Sequence, residues 1–158
     1  MAAIVLEVLG TPGAKGSARA FVNKLTGRAH VAPGGAKSTE RKIKAWATAV
    51  REKALQVIGE REAPVFVGVP VTVEITFFLA RPQGHWGKGK NAGRLSPSAP
   101  LVPIARPDRD KLERATVDAL TGIAFDDDSR IVDGAIRKRY ASPGREGARI
   151  TIDVWRPA

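Results

Sequence analysis

The stretch ARPDRDKLERATVDALTGIAFDDDSRIVDGAIRKRY, residues 105–140, decides the fold, because it contains a helical pattern, a turn and a strand pattern in that order. Apolar residues recur in its first part every three or four positions, which is the spacing of the buried side of a helix. They are Leu112, Ala115, Ala119 and Leu120. We therefore predict a helix over 108–121, ended by Gly122, and a strand over 131–140.

Outward from this stretch, the chain predicts a second helix and further strands. The strands are predicted over 3–9 and 148–155, over 67–80 with Pro70 at its beginning or at an edge, and as a hairpin through 21–22 and 29–31. The helix is predicted from the capping residues Ser38 and Thr39 to about Gly59. This order indicates one α+β domain over 1–158, with two main helices packed on one mixed β-sheet.

The segment RPQGHWGKGKNAGRLSPSAP, residues 81–100, interrupts this pattern with a long loop rich in Gly, Pro and Ser. A loop of this length inside a compact domain is usually functional or disordered. Its basic residues are candidates for contacts with DNA phosphates, and Trp86 is a candidate for stacking on an unpaired base. The basic residues are Arg81, Lys88, Lys90 and Arg94.

Composition favours a nucleic-acid partner. The 158 residues carry a net charge of +10, which favours a polyanion through phosphate contacts. The chain has no amphipathic basic helix with bulky apolar anchors, which disfavours a lipid surface, and no apolar run long enough for a membrane span. It has no cysteine and two histidines, which excludes disulfides, thiolate zinc sites, cysteine nucleophiles and His-rich metal sites. Its first residues lack the features of a signal peptide, so we expect a cytoplasmic protein.

Acidic residues of the deciding stretch form a candidate metal site. Asp108 and Asp110 are two residues apart in a segment expected to be extended, so their carboxylates can point the same way. Asp128 follows the helix and its turn, where the chain can double back. Three carboxylates gathered there require a cation, and hard oxygen ligands on a small cation are typical of Mg²⁺ or Mn²⁺. Arg114 and Asp118 follow Asp110 at successive steps of four, so they share its helical face.

Spacing alone leaves other interpretations open. Asp108 can be an N-cap and Asp110 an ordinary acid of a first helical turn. The acids at 126–128 can be a solvated turn. Arg114 and Asp118 can form an ordinary surface ion pair.

The residues 106–132 resemble the signature of RusA-type Holliday-junction resolvases, in which Asp-x-Asp leads a helix and is followed by Asp-Ala-Leu, Gly and Asp-Asp-x-x-Ile/Val. The loop GTPGAKGSAR, residues 10–19, resembles the family's basic N-terminal loop, and 81–100 resembles the insertion of phage-type members. The resemblance implies a RusA-like fold and a homodimeric, Mg²⁺-dependent endonuclease, without an organic cofactor, that nicks four-way DNA junctions symmetrically in recombination and repair. A phage-encoded member would act in the cytoplasm of the bacterial host.

The resemblance also assigns roles to individual residues. Asp108, Asp110 and Asp128 match the metal-binding catalytic aspartates, and Asp127 matches a neighbouring acid. Arg114 stands where other members carry a catalytic lysine, so the positive charge is kept but a proton-donating role would be lost. Asp118 is expected to hold Arg114 or a neighbouring backbone group and not the metal.

DNA contacts are expected from the basic loops, with Lys15 and Arg19 in the first loop and the four basic residues of 81–100 in the second. Lys111, at the start of the helix, is a further candidate. Two other functions compete with a junction resolvase. One is a non-catalytic protein that binds branched DNA, and the other is a metal nuclease that prefers flaps or replication forks.

Overall fold

A computed structural model of the chain describes residues 2–16, 19–32 and 37–158. Its elements, in chain order, are β1 (Ile4–Leu9), β2 (Arg19–Val22), β3 (Ala29–Ala32), α1 (Lys37–Ile58), β4 (Val71–Leu79), α2 (Arg109–Leu120), β5 (Ile131–Tyr140) and β6 (Gly147–Val154). The two main helices and a mixed sheet confirm the predicted α+β class. Among the described residues, no helix has the length and apolar character needed to cross a bilayer.

The main sheet has the strand order β1-β6-β4-β5, and β2 and β3 form a separate hairpin. β6 is antiparallel to both β1 and β4, whereas β5 is parallel to β4 because α2 lies between them in the chain. The pairing of β4 with β5 shifts register between Val71 and Thr72, which face Ile131 and Asp133. Val132 is therefore an extra residue, and this bulge directly follows the acidic turn.

One face of the sheet is buried beneath the two helices. Alternate residues of β1 and β4 point into this core, as a half-buried strand requires. The helices are joined inside the core by Trp46 of α1, whose indole Nε1–H donates to Thr116 Oγ of α2 at 3.0 Å. Thr116 in turn donates to the Leu112 carbonyl at 2.9 Å. Because both side chains are fully buried, this link fixes α2 against α1.

The predicted helix over 108–121 is α2, with Gly122 after it at a positive φ of 81°. Pro70 directly precedes β4, as the missing N–H of proline favours. The expectation that Ser38 or Thr39 caps the first helix is wrong, because α1 begins at Lys37 and both residues lie inside its first turn.

Candidate active site

One side of α2, from Asp110 to Asp118, and the acidic turn with the start of β5 form the two walls of a surface groove of about 360 Å³. The lining residues of α2 are separated from the next one along the chain by one or three positions, so they lie on one side of the helix. The groove is lined by Asp110, Glu113, Arg114, Val117, Asp118, Asp128 and Ile131. The structure therefore brings together Asp110, Arg114, Asp118 and Asp128 among the predicted site residues.

Asp110 and Asp128 are the two exposed carboxylates of the groove that have no protein partner. Neither accepts a hydrogen bond or forms an ion pair with any residue in the described part of the chain. Asp110 lies in the first turn of α2, where unpaired N–H groups and the helix dipole stabilise an anion. Carboxylates that line one groove and have no described protein partner are available to bind a cation.

Asp108 is not a lining residue of this groove. It occupies the N-cap position of α2 with extended φ and ψ of −70° and 141°, and its side chain makes no capping hydrogen bond. Its carboxylate pairs with Lys111 at 3.0 Å, and the hydrogen bond and charge of Lys111 lower the pKa of Asp108. The expectation that Asp108 and Asp110 share an extended segment is wrong, because Asp110 is helical.

The acids at 126–128 differ in their partners. Asp126 accepts hydrogen bonds from the Arg130 guanidinium, the shorter at 3.0 Å, and from the Gly68 N–H at 3.4 Å, and the Arg130 hydrogen bond lowers its pKa. Asp127 accepts from the Ser129 N–H at 2.8 Å, which lowers its pKa as well. Asp128 alone faces the groove. All three acids therefore lie in or next to a turn, but only the first two are hydrogen-bonded within it.

Asp118 pairs with Lys15 of the N-terminal loop, 103 residues away, and not with Arg114. The expectation that Asp118 holds Arg114 or a neighbouring backbone group is wrong, because the loop lies against α2, where the Lys15 N–H also donates to the Lys111 carbonyl at 3.0 Å. The Arg114 guanidinium has no ion pair with any described residue, so it faces the groove without a partner.

Glu113 lines the groove although the sequence reasoning did not single it out. Its position in the sequence could have indicated this, because Glu113 is three residues after Asp110 and therefore on the same helical face. Lys138 of β5, which does not line the groove, is another residue that the sequence reasoning missed. Its Nζ donates to the carbonyls of Ala105 and Pro107 at 3.0 Å each, which ties the segment before α2 to the edge strand.

The fit of the groove to a metal ion rests on two carboxylates. No group of three His, Cys, Asp or Glu side chains in the described ranges is placed to hold a metal by itself. Mg²⁺ in phosphate chemistry is commonly held by one or two carboxylates, with water and substrate oxygens filling the other positions. Asp110 and Asp128 fit that requirement.

The loop over 81–100 folds back on itself at its base. The Arg81 guanidinium lies 4.0 Å from the centre of the Tyr140 ring and donates to the Pro100 carbonyl at 2.8 Å. The loop carries two short 3-10 turns and a bridge between Trp86 and Leu95. Arg81 is therefore engaged within the protein.

The other predicted DNA-contacting residues differ in accessibility. Lys88, Lys90 and Arg94 are exposed and form no ion pair among the described residues. Arg19 begins β2, but its side chain lies outside the described part of the structure.

Comparison with known proteins places the chain in a family. Residues 14–154 match the family model described as Endodeoxyribonuclease RusA. No curated protein sequence matches the chain. Because the matched segment spans nearly the whole chain, the resemblance drawn from the sequence is confirmed, and the chain belongs to the RusA family of endodeoxyribonucleases, which act on Holliday-junction DNA.

Proposed function

We propose that this chain is a Mg²⁺-dependent resolvase that nicks Holliday junctions symmetrically as a homodimer, in DNA recombination and repair. The observation that carries the proposal is the pair of unpartnered carboxylates, Asp110 and Asp128, facing one groove in a protein of net charge +10. A binding protein would gain nothing from placing unneutralised acids where DNA phosphates approach, since like charges repel.

Asp110 and Asp128 would hold the ion, and Mn²⁺ can replace Mg²⁺. Asp108 would join them after leaving Lys111, whose ammonium the DNA phosphates attract. The bound ion would make a water molecule more acidic and offset charge on the scissile phosphate. Arg114, on the same helical face as Asp110, would donate hydrogen bonds to the phosphate oxygens as negative charge develops there.

The DNA would contact the exposed cations of the loop over 81–100, which are Lys88, Lys90 and Arg94. This loop is anchored through Arg81 at Tyr140, the last residue of β5. Lys138 ties the segment that leads into α2 to the same end of β5. The base of the loop and the start of α2 therefore lie at one end of this strand.

Two-fold symmetry follows from the substrate. A four-way junction offers two equivalent strands, and a dimer with an isologous interface presents two identical sites. Sedimentation of the pure protein should give a mass near twice that of one chain, and a strictly monomeric active protein would contradict this part of the proposal.

The decisive experiment compares cleavage of a synthetic four-way junction with cleavage of a linear duplex of the same sequence, with Mg²⁺ and with EDTA. We expect nicks only in the junction and only with Mg²⁺. Asp110→Asn should abolish nicking and keep junction binding, and the exposed control Glu60→Gln should leave both unchanged.

Flap and fork substrates in the same assay separate the competing functions. Faster cleavage of a flap than of a junction would show that the preferred substrate is a flap and not a Holliday junction. Binding of junctions without Mg²⁺-dependent cleavage of any substrate would identify a branched-DNA-binding protein.

A further inference from the structure

Lys15 fixes the N-terminal loop to the helix of the active site at two points. Its main-chain N–H donates to the carbonyl of Lys111 at 3.0 Å, and its ammonium pairs with Asp118. Lys111 and Asp118 are seven residues apart, or about two helical turns, so both lie on one side of α2. The loop is therefore placed with a defined orientation on this helix.

The same loop is also packed tightly against α1. Gly13 is buried, and a Cβ added to it would lie 2.9 Å from the Cα of Ile43. Only glycine allows this approach of loop to helix. Lys15 follows two residues later, so its position is set by both helices and not by its side-chain pair alone.

This arrangement places a second cation beside a lining residue of the groove. Asp118 lines the groove and holds the Lys15 ammonium, whose side chain remains 49% exposed and accessible to a substrate. Arg114 lies on α2 between the two residues that contact Lys15. The two cations differ in chemistry, because a guanidinium keeps its protons at neutral pH whereas an ammonium can donate one.

We propose that Lys15 is the proton donor to the leaving oxygen during strand cleavage, and that Asp118 is the positioning residue that holds it. The inference rests on the proposed function. As the oxygen of water bonds to phosphorus, the bond to the leaving oxygen breaks and that oxygen takes a proton from Lys15 Nζ. The attacking water loses a proton to solvent, and Lys15 regains one from solvent, so charge and atoms balance.

Lys15→Arg is the sharpest variant, because arginine keeps the charge and the pair with Asp118 but cannot give up a proton. We expect its single-turnover nicking rate to fall about 100-fold or more, the usual size of general acid catalysis, with junction affinity retained. Lys53→Arg is the matched control and should cleave normally, because the Lys53 amine donates to Gln56 and forms no ion pair among the described residues. A Lys15→Arg variant that cleaves at the rate of the unaltered protein would overturn the inference.

A sulphur-substituted junction separates proton donation from a structural role. In this substrate, sulphur replaces the bridging oxygen that leaves at the mapped nick. A thiolate leaves without a proton because its conjugate acid is far stronger than an alcohol, with a pKa of about 8.5 for a thiol. Lys15→Arg should cleave this substrate at nearly the rate of the unaltered protein. If Lys15→Arg cleaves the oxygen and the sulphur substrate equally slowly, Lys15 only organises the site.

Two further variants keep the inference testable if Lys15→Arg folds poorly. Asp118→Asn should slow cleavage of the oxygen substrate and leave the sulphur substrate unaffected. Adding Arg114→Lys to Lys15→Arg should restore part of the lost rate, since it returns a proton-bearing cation to the groove. If the unaltered protein cuts no junction, the proposed function fails. If it cuts and these variants cut equally well, only the role of Lys15 fails.

Discussion

At the scale of single residues, the adjacent acids Asp126, Asp127 and Asp128 differ in what their carboxylates contact. The first is held by Arg130 and Gly68, the second caps a short turn through Ser129, and the third faces the groove. We therefore expect loss of a carboxylate at these positions to affect different properties of the protein, namely stability for Asp126 and the proposed chemistry for Asp128.

Asp128→Asn should abolish Mg²⁺-dependent nicking, because the amide removes one of the two charges that would hold the ion. The melting temperature should not fall, since the Asp128 carboxylate has no described protein partner to lose. Asp127→Asn is the control at the neighbouring position, because asparagine caps a turn as well as aspartate does. Equal nicking by Asp128→Asn and the unaltered protein would refute the assignment.

Asp126→Asn should lower the melting temperature and leave nicking unchanged. The Arg130 hydrogen bond lowers the pKa of Asp126 below its usual value of 3.8. The carboxylate therefore contributes its stability above pH 3.8, and the contribution is lost as the pH falls through the lowered pKa. Melting curves at pH 7 and below pH 3.8 should show the difference between variant and unaltered protein shrinking with acid. A difference that is constant with pH would contradict this account.

The sequence indicated the acids of the proposed metal site but not the partners of each. Local spacing shows that Asp110, Arg114 and Asp118 share a helical face, and this is correct because helical geometry is local. The pair of Lys15 with Asp118 spans 103 residues, and no local pattern encodes it. The same limit explains why the ion pair of Asp118 was assigned to Arg114, its sequence neighbour.

At the scale of elements, the site depends on how α2 is held against α1. Thr116→Val should lower the free energy of unfolding by about 1–3 kcal/mol, because the buried indole N–H of Trp46 loses its acceptor. Thr116→Ser keeps the hydroxyl and should retain most of the stability. Urea denaturation of the two variants measures the difference. Equal stability of Thr116→Val and the unaltered protein would show that a water molecule accepts the hydrogen bond from the indole N–H instead.

The elements themselves were largely predictable, and their arrangement was not. Apolar periodicity indicated α2 and the strands β4 and β5, because it reflects one buried side of each element. The position of β6 between β1 and β4 depends on pairings between distant parts of the chain. The bulge at Val132 also depends on the partner strand, so the sequence of β5 alone could not reveal it.

Gly87→Ala tests whether the fold of the loop over 81–100 matters for DNA. A Cβ at this position would lie 2.4 Å from the Asn91 carbonyl oxygen, so the loop must open to accept it. We expect weaker junction binding with an unchanged melting temperature, since the loop lies outside the core. Gly84→Ala is the matched control, because its Cβ would meet no atom within 4 Å. Equal affinity for both variants would mean that the loop does not need this conformation.

At the scale of the whole molecule, the charge of +10 predicts a steep salt dependence of junction binding. Replacing Lys88, Lys90 and Arg94 together with alanine should reduce the slope of log affinity against log salt by about three, one for each lost phosphate contact. Fluorescence anisotropy over a range of KCl concentrations measures the slope, with Lys53→Ala as the control. An unchanged slope would show that the DNA contacts another surface of the protein.

The hydrogen bond from Arg81 to the Pro100 carbonyl has a consequence for how this protein can vary. It brings the two ends of the loop together, so the chain leaves the core and returns to it at one place. The loop is a side branch whose length and charge can change without displacing Asp110 or Asp128. If this loop contacts DNA as proposed, exchanging it between related proteins should change which DNA structure is preferred and leave the proposed metal site in place.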